Sequence, residues 1–166
     1  MSEVVIESMT ADDWLGVRAV YLEGIATGDA TFETEAPPWE TWDAAHLSFA
    51  RLVARAGGDV IGWAALSPVS QRKAYLGLAE VSVYVAAHSR GKGVGKALLD
   101  RLIQGSEQNG IWTLQAAVFP ENDATLALHK RCGFREVGRR ERISKLNGKW
   151  RDTILLERRS EIVGVP

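Results

Sequence analysis

Three glycines alternate with basic residues where an apolar segment runs into a helical pattern. The run Arg90-Gly91-Lys92-Gly93-Val94-Gly95-Lys96 follows Val83-Tyr84-Val85 and precedes Ala97-Leu98-Leu99. Glycine lets the backbone approach a ligand closely, and the free N–H groups at a helix start attract an anion. Lys92 and Lys96 add positive charge. The spacing therefore predicts a site for an anionic ligand at the start of this helix.

Two better-known phosphate loops do not match the run. The Walker pattern needs a glycine where this chain has Arg90, and Ala97 replaces its magnesium-binding hydroxyl. The dinucleotide fingerprint Gly-x-Gly-x-x-Gly differs from the spacing of Gly91, Gly93 and Gly95. A tight turn alone is the plain alternative, but such a turn needs only one glycine. The run therefore favours a ligand site of another kind.

Apolar periodicity and turn residues predict the helices and strands that position this run. The predicted strands are Val4–Glu7, Leu52–Arg55, Val60–Leu66, Glu80–Val85, Trp112–Phe119, Phe134–Arg142 and Arg151–Glu157. The predicted helices are one from Trp14 that Gly24 and Gly28 interrupt, Trp39–Phe49, Gly93–Gln108 and Asp123–Arg131. Asn122 caps the last helix, and Asn147-Gly148 turns the final hairpin. This order indicates a mixed α/β (α+β) fold around one sheet, with residues 1–166 forming a single domain.

Composition argues against several classes of protein. The formal net charge is −1, and the arginines of the final hairpin alternate with Glu136 and Glu141, so we expect no nucleic-acid binding. The single cysteine, Cys132, allows no intrachain disulfide and fits a reducing compartment. Met1–Val4 lack the basic start of a signal peptide, and no apolar stretch approaches the roughly 20 residues of a membrane helix. We therefore expect a cytoplasmic protein that does not bind membranes.

Two motifs resemble the signatures of the GNAT superfamily of N-acetyltransferases. Arg90-x-x-Gly93-x-Gly95 is similar to its Gln/Arg-x-x-Gly-x-Gly/Ala motif, and Asn122…His129…Gly133-Phe134 to its Asn…Tyr/His…Gly-Phe segment. Four further stretches resemble the phosphinothricin and methionine-sulfoximine acetyltransferases, with arsinothricin acetyltransferases close to them: Ala30-Thr31-Phe32-Glu33-Thr34, Arg72-Lys73-Ala74-Tyr75, Glu80-Val81-Ser82-Val83-Tyr84-Val85 and Lys149-Trp150-Arg151-Asp152. The resemblance covers nearly the whole chain. It implies the GNAT fold, a mixed twisted sheet of about six to seven strands splayed at its centre, with about four helices.

The resemblance also implies a cosubstrate and the residues that bind it. Acetyl-coenzyme A would lie in the cleft between the two central strands, and no metal is expected. Its pantetheine arm would bond to the strand edge of Val83, Tyr84 and Val85, while the amides of Gly91–Lys96, beside Arg90, would hold the pyrophosphate. Asn122 would both cap its helix and bond the pantetheine.

Amide formation from a thioester needs a neutral amine, a stabilised oxyanion and a proton for the departing thiolate. Glu80 is the candidate base, directly or through a water, and its plain alternative is a surface carboxylate. By resemblance, the N–H of Val83 is the candidate oxyanion donor. His129 stands where many relatives carry tyrosine and is a candidate acid, although a lone histidine is often only packed or solvated. Cys132 lies beside Gly133 without a nearby base, which favours direct transfer over an acetyl-cysteine.

The candidate acceptor-binding residues are Phe32, Arg72, Lys73, Tyr75, Val81, Ser82 and Trp150. The segment from Arg72 could clamp a carboxylate or phosphinate, because arginine offers two parallel hydrogen bonds; a solvated loop is the alternative. Aromatic residues more often belong to the hydrophobic core. Phe32 and Trp150 are chosen because the motifs around them match those of the family. Relatives carry His or Ser after the motif glutamate, where this chain has Val81, so we expect a more apolar pocket on that side.

These residues predict an acetyl-CoA-dependent N-acetyltransferase acting on the amine of a small amino-acid-like substrate. Phosphinothricin, methionine sulfoximine and arsinothricin are the implied acceptors, and detoxification the implied role. Two rival functions are a protein or peptide N-acetyltransferase, which favours an open groove, and a non-catalytic acetyl-CoA-binding module. The presence of both Glu80 and His129 disfavours the second. Because relatives of this branch are dimers with sites near the interface, the resemblance also implies a homodimer.

Overall fold

The structure is a computed structural model that describes residues 3–166. The expectation that the N-terminus is not a signal peptide rests partly on Met1 and Ser2, which lie outside the described residues. The strands are β1 (Val4–Ser8), β2 (Leu52–Ala56), β3 (Asp59–Pro68), β4 (Leu78–Val85), β5 (Thr113–Val118), β6 (Arg135–Leu146) and β7 (Lys149–Arg159). The helices are α1 (Trp14–Ala26), α2 (Trp39–Ala45), α3 (Val94–Gln108) and α4 (Asp123–Arg131). Within residues 3–166, no helix is long and apolar enough to cross a membrane.

The strands form one mixed sheet in the order β1-β2-β3-β4-β5-β7-β6, which confirms the predicted fold class. Every neighbouring pair is antiparallel except β4 and β5, which are parallel. These two central strands pair only where Leu78–Glu80 lie beside Thr113–Gln115. Beyond Glu80 they separate, and no other strand of the described chain pairs with that edge of β4. The sheet is therefore splayed at its centre, as predicted.

Helices cover both faces of β4, and side chains alternate between the two faces. Val85 pairs with Gly62, where an added Cβ atom would lie 2.9 Å from the Leu98 side chain, so this face packs against α3. Tyr84 pairs with Trp63 on the other face. There its ring lies 5.0 Å from the ring of Tyr21, which belongs to α1. Odd-numbered residues of β4 therefore face α3, and even-numbered residues face α1.

Two helix predictions were wrong, and tertiary contacts explain both. Helix α1 is not interrupted at Gly24, because this glycine makes room for the ring of Tyr84: a Cβ atom would lie 2.7 Å from its Cδ1. Helix α2 ends at Ala45 rather than Phe49, since the next residues leave the helix and the Leu47 N–H donates to the carbonyl oxygen of Leu66 at 2.8 Å. Packing and strand contacts thus override the local helical pattern.

The final hairpin is longer than predicted. Its strands, β6 and β7, meet at Asn147 and Gly148, whose φ angles of 49° and 80° are those of a tight hairpin turn. Strand β6 forms the edge of the sheet, and all of its residues except Leu146 are exposed. Across the bulge in β6, the Asp152 carboxylate accepts hydrogen bonds from the Arg142 N–H and the Arg139 guanidinium, both at 2.7 Å. The carboxylate holds the irregular part of the edge strand in place.

The parallel pair β4–β5 begins at a close contact between Gly77 and Trp112. The Gly77 carbonyl oxygen accepts hydrogen bonds from the N–H groups of Trp112 and Thr113, at 2.9 and 3.0 Å. A Cβ atom on Gly77 would lie 2.0 Å from the Trp112 ring. Such a distance is far inside van der Waals contact, so only glycine lets the two strands meet here. The closed end of the splay depends on this contact.

Gly77→Ala should lower the free energy of unfolding by about 1–3 kcal/mol or more, because the Trp112 ring must move. Gly138→Ala is the matched control: no atom of the described chain lies within 4 Å of its added Cβ. The control should leave stability unchanged or raise it by up to about 1 kcal/mol. Urea unfolding compares the two variants, provided that the m-value stays constant. Equal midpoints for Gly77→Ala and wild type would contradict the packing constraint.

Candidate active site

The glycine-rich turn lies at the mouth of the cleft, between β4 and α3. Gly91 and Gly93 have φ angles of 74° and 84°, which favour glycine, and an added Cβ at either would meet no atom of the described residues within 4 Å. Gly93 is the N-cap of α3, and no side chain within residues 3–166 caps this helix end. The turn therefore offers an open backbone surface at the positive end of a 15-residue helix.

The basic side chains of this turn are engaged by nearby acceptors. Arg90 Nε donates to the Val85 carbonyl oxygen at 3.0 Å, and Lys92 Nζ donates to the His88 carbonyl oxygen at 2.9 Å. Lys96 forms an ion pair with Asp100 at 2.7 Å, one helical turn away. Arg90 and Lys92 thus tie the turn to the segment before it, whereas Lys96 is engaged within α3.

Glu80 occupies the last paired position of β4, where the cleft opens. Its half-buried carboxylate accepts a hydrogen bond from Gln115 Nε2 at 3.2 Å, across the β4–β5 pair. Ser82 and Tyr84 follow it on the same α1-facing side of the strand. Gln115 was missed by sequence analysis, since only the register of the two strands brings it beside Glu80. The pair places a carboxylate at the inner end of the unpaired β4 edge.

Val81 faces the other way. It pairs with Leu66 in the α3-facing row, and both side chains are buried in the core. Alternation along β4 therefore separates Val81 from Glu80 and Ser82, which argues against its lining the same pocket. The expectation that Val81 makes the acceptor pocket more apolar is not supported by this orientation.

His129 is buried in the last turn of α4, with only 3% of its surface exposed. Its Nδ1 lies 2.8 Å from the Thr125 carbonyl oxygen and must carry a proton to donate there. Burial lowers the pKa of the ring, so His129 is neutral at pH 7. Its Nε2 is then a lone-pair acceptor, and it finds no hydrogen-bond partner among residues 3–166. A buried nitrogen without a partner is uncommon and is expected to meet a ligand or water.

Asn122 caps α4, as predicted. Its Oδ1 accepts a hydrogen bond from the Thr125 N–H at 3.2 Å, and its Nδ2 donates to the Asp29 carbonyl oxygen at 3.1 Å. Both ends of the side-chain amide are therefore used within the protein. The second bond joins α4 to the segment between α1 and α2, a contact that spacing along the chain did not reveal.

Cys132 is buried beside α3. Its Sγ lies 3.6 Å from Asp100 Oδ1, and burial, reinforced by this carboxylate, raises the pKa of the thiol to about 11. Because the thiolate is the nucleophilic form, this cysteine is unreactive at neutral pH. The environment favours the structural role over an acetyl-cysteine intermediate.

The predicted acceptor-binding residues lie in three separate places. Phe32 packs edge-on against Phe119 at the end of β5, with ring centroids 4.9 Å apart. Arg72 and Tyr75 are exposed on the loop before β4, and the guanidinium lies 5.4 Å from the centre of the Tyr75 ring. Lys73 is exposed beside them. Phe32 thus lies beside the end of β5, whereas the charged loop lies just before the start of β4.

Trp150 lies apart from these groups, near the turn of the β6–β7 hairpin. It is 58% exposed, and Lys145 Nζ sits 4.9 Å from the centre of its ring. The pairing of β7 with β5 ends at Ile154, so Trp150 pairs only with Lys145 of β6. Its neighbour Arg151 donates hydrogen bonds to Gly28 and Asp29, in the segment between α1 and α2. Sequence analysis noted Arg151 only as part of a motif.

Among the residues that the structure describes, no group of three or more His, Cys, Asp or Glu side chains is arranged to hold a metal ion. The groups described above for chemistry are the Glu80 carboxylate, the neutral His129 imidazole, the Ser82 hydroxyl and backbone amides. Such a set suits proton transfer and the stabilisation of a developing oxyanion.

Comparison with known proteins agrees with this arrangement. Residues 14–134 match the acetyltransferase (GNAT) family. The chain is 36% identical over 155 residues to phosphinothricin N-acetyltransferase of Alcaligenes faecalis, covering 89% of this chain and 78% of that protein. It is 30% identical to an L-methionine sulfoximine/L-methionine sulfone acetyltransferase of Pseudomonas paraeruginosa, with 87% and 88% covered.

A solved structure shows the same fold. A GNAT superfamily phosphinothricin acetyltransferase from Sinorhizobium meliloti, in complex with AcCoA, superposes with a TM-score of 0.87 at 28% identity, covering 99% of this chain and 91% of that one. The family match spans most of the chain, and the relatives align over nearly its whole length. The chain therefore belongs to the GNAT family of acetyltransferases.

Proposed function

We propose that this protein transfers the acetyl group of acetyl-CoA to the amine of a small amino-acid-like substrate of the phosphinothricin or methionine sulfoximine type. The observation that carries the proposal is the position of Glu80 at the inner end of an unpaired strand edge, which leads directly into the glycine-rich turn. Acetylation would mask the amine of such an antimetabolite, so detoxification, of arsinothricin as well, is the corresponding role. The names of the relatives support this substrate class.

The residues of the cleft fit acetyl-CoA, which supplies an activated acetyl thioester. The free edge at Val83, Tyr84 and Val85 has backbone groups for the amides of a pantetheine arm. The turn from Gly91 to Lys96 presents amides and open space to a pyrophosphate. Asn122 keeps the capacity for its predicted pantetheine contact, because its amide has a second N–H and a second oxygen lone pair besides the two internal hydrogen bonds.

The acceptor's ammonium group must lose two protons to become an amide nitrogen. Glu80 takes the first, directly or through a water, and passes it to solvent. The neutral His129 cannot donate from Nε2 until it has accepted a proton there, so it takes the second proton and delivers it to the leaving thiolate. The Val83 N–H stabilises the oxyanion between these two transfers. With this order, the predicted acid role of His129 agrees with its lowered pKa.

The acceptor is bound on the α1-facing side of β4, where Glu80 and Ser82 lie. Phe32 forms the apolar wall at the β5 end. Arg72 and Lys73, with Tyr75, supply positive charge for a carboxylate or phosphinate at the other end. An acidic amino-acid analogue matches this distribution of an apolar wall and an exposed cationic loop.

We further propose a homodimer. Strand β6 is a long exposed edge, and it carries exposed apolar side chains at Val137 and Ile143. An edge of this kind is a template for pairing with another chain. A partner that covers this edge would also enclose Trp150. In a single chain Trp150 is exposed near the hairpin turn, which does not explain its predicted place in the acceptor pocket. Light scattering tests this against the 18.2 kDa mass of one chain.

The function is tested by screening amines at fixed acetyl-CoA with an assay for released thiol. We expect phosphinothricin, methionine sulfoximine or a similar acidic amino-acid analogue to be acetylated with the highest kcat/KM. Peptides with free N-termini or lysines are the competing substrates. Preferred turnover of peptides would favour the protein acetyltransferase, and acetyl-CoA binding without turnover of any amine would favour the binding module.

Gly93→Ala should weaken acetyl-CoA binding about tenfold or more, because it strains the left-handed turn and places a methyl group where the pyrophosphate approaches. Gly110→Ala is the matched control. This residue follows the other end of α3, has a φ of 79°, and its added Cβ would meet no atom of residues 3–166 within 4 Å. Both variants should lose similar stability, about 1–2 kcal/mol. Calorimetry that finds equal acetyl-CoA affinity in the two folded variants would remove the turn from the site.

Glu80→Gln should lower kcat about 10²–10⁴-fold at pH 7, because the amide keeps the size of the side chain but cannot accept the proton. Acetyl-CoA affinity should change little, since the proposed cosubstrate contacts lie elsewhere. The defect should shrink at high pH, where the acceptor amine is already neutral. Glu40→Gln, at an exposed position of α2, is the control for a surface carboxylate. A folded Glu80→Gln enzyme with near-normal kcat at pH 7 would show that solvent takes the proton.

A further inference from the structure

The segment Gly28–Glu33, here called the strap, leads from the end of α1 across the cleft. Its Thr31 hydroxyl accepts a hydrogen bond from the Glu33 N–H at 3.0 Å. Its Ala30 lies beside Tyr84: an added Cβ atom on Gly24 would lie 2.7 Å from the Tyr84 ring and 3.8 Å from the Ala30 Cβ. Tyr84 lies in the same row as Glu80 and Ser82. The strap therefore covers the face of β4 on which the acceptor is proposed to bind.

Arg151 of β7 holds the strap from the other side of the cleft. Its guanidinium donates to the Gly28 carbonyl oxygen at 2.9 Å and to the Asp29 carboxylate at 2.8 Å. It also donates to Glu121 Oε2 at 3.2 Å. The guanidinium carbon lies 4.0 Å from the centre of the Phe119 ring, against which the strap residue Phe32 packs.

The contacts of Arg151 with the strap, here called the clamp, use the properties of arginine. The side chain is only 17% exposed, so its hydrogen bonds are partly shielded from water. A planar guanidinium can bond to two acceptors in its plane and stack on an aromatic ring at the same time, whereas an ammonium group cannot. The Asn122 side chain adds a further bond to the strap at the Asp29 carbonyl oxygen. One basic residue from β7 thus connects the strap, the end of β5 and the start of α4.

No backbone hydrogen bonds join β4 to β5 beyond Glu80, where the strap crosses the cleft, because the two strands separate there. We propose that Arg151 is a positioning residue, which fixes the strap across the open cleft and thereby sets the affinity for the acceptor. The inference rests on the proposed function for the identity of the acceptor. Arg151 touches neither Glu80 nor the glycine turn in the structure, so its effect on acetyl-CoA is expected to be small.

The kinetic test uses the full-length enzyme with phosphinothricin and acetyl-CoA. Arg151→Ala should raise the KM for phosphinothricin on the order of 10–100-fold, because a misplaced strap no longer orients the acceptor. The KM for acetyl-CoA should change less than twofold. Arg151→Lys should restore only part of the loss. Arg158→Ala is the matched control, since Arg158 lies on the same strand, is 23% exposed and forms its ion pair with Glu107 of α3, so both KM values should stay unchanged.

Hydrogen exchange provides a readout that does not depend on turnover. Without any acceptor, the amides of residues 28–33 should exchange at least tenfold faster in Arg151→Ala than in wild type or Arg158→Ala. Unchanged exchange would overturn the clamp, and faster exchange with an unchanged acceptor KM would overturn its role in acceptor affinity. If wild type acetylates no amine, the proposed function and the acceptor part of this inference both fail, while exchange still decides whether Arg151 holds the strap.

Discussion

The separation of β4 from β5 after Glu80 is the constraint around which this protein is organised. A strand edge carries N–H and C=O groups that must find partners, and here the neighbouring strand does not supply them. The same separation brings a carboxylate to one end of the free edge and the glycine turn to the other. A linear ligand with amide groups and a phosphate at one end fits such an edge. The geometry of acetyl transfer in this family thus follows from where two strands cease to pair.

The electrostatic character of the cleft comes mainly from the backbone and from neutral groups. Arg90 and Lys92 are held by carbonyl oxygens of the turn itself, so the start of α3 attracts an anion chiefly through its amides and dipole. Burial keeps His129 neutral and Cys132 protonated. The protonated thiol and the imidazole available as a proton acceptor support the direct transfer proposed above.

The acceptor side of the cleft combines a rigid floor with a strap that is held in place by contacts across the cleft. The floor is a stack of aromatic rings: Trp63 lies 4.8 Å from Tyr84, and Tyr84 lies 5.0 Å from Tyr21. Gly24 allows α1 to approach this stack closely. The strap has no strand pairing of its own and depends on Arg151 and Asn122. If the acceptor binds here as proposed, substitutions in the strap are expected to alter acceptor selectivity while the floor keeps β4 in position.

The sequence by itself determined the elements whose residues interact with near neighbours. Helix α4 runs from Asp123 to Arg131, as predicted, because the Asn122 cap and Gly133 are local features. The glycine turn and the chemistry it implies were likewise visible, since three glycines within five residues have few other uses. Only the tertiary structure decided the end of α2, the pairing of Gln115 with Glu80, the orientation of Val81 and the reach of Arg151 to Gly28. These depend on strand register and on contacts between residues far apart in the chain, and no local pattern encodes where two such surfaces meet.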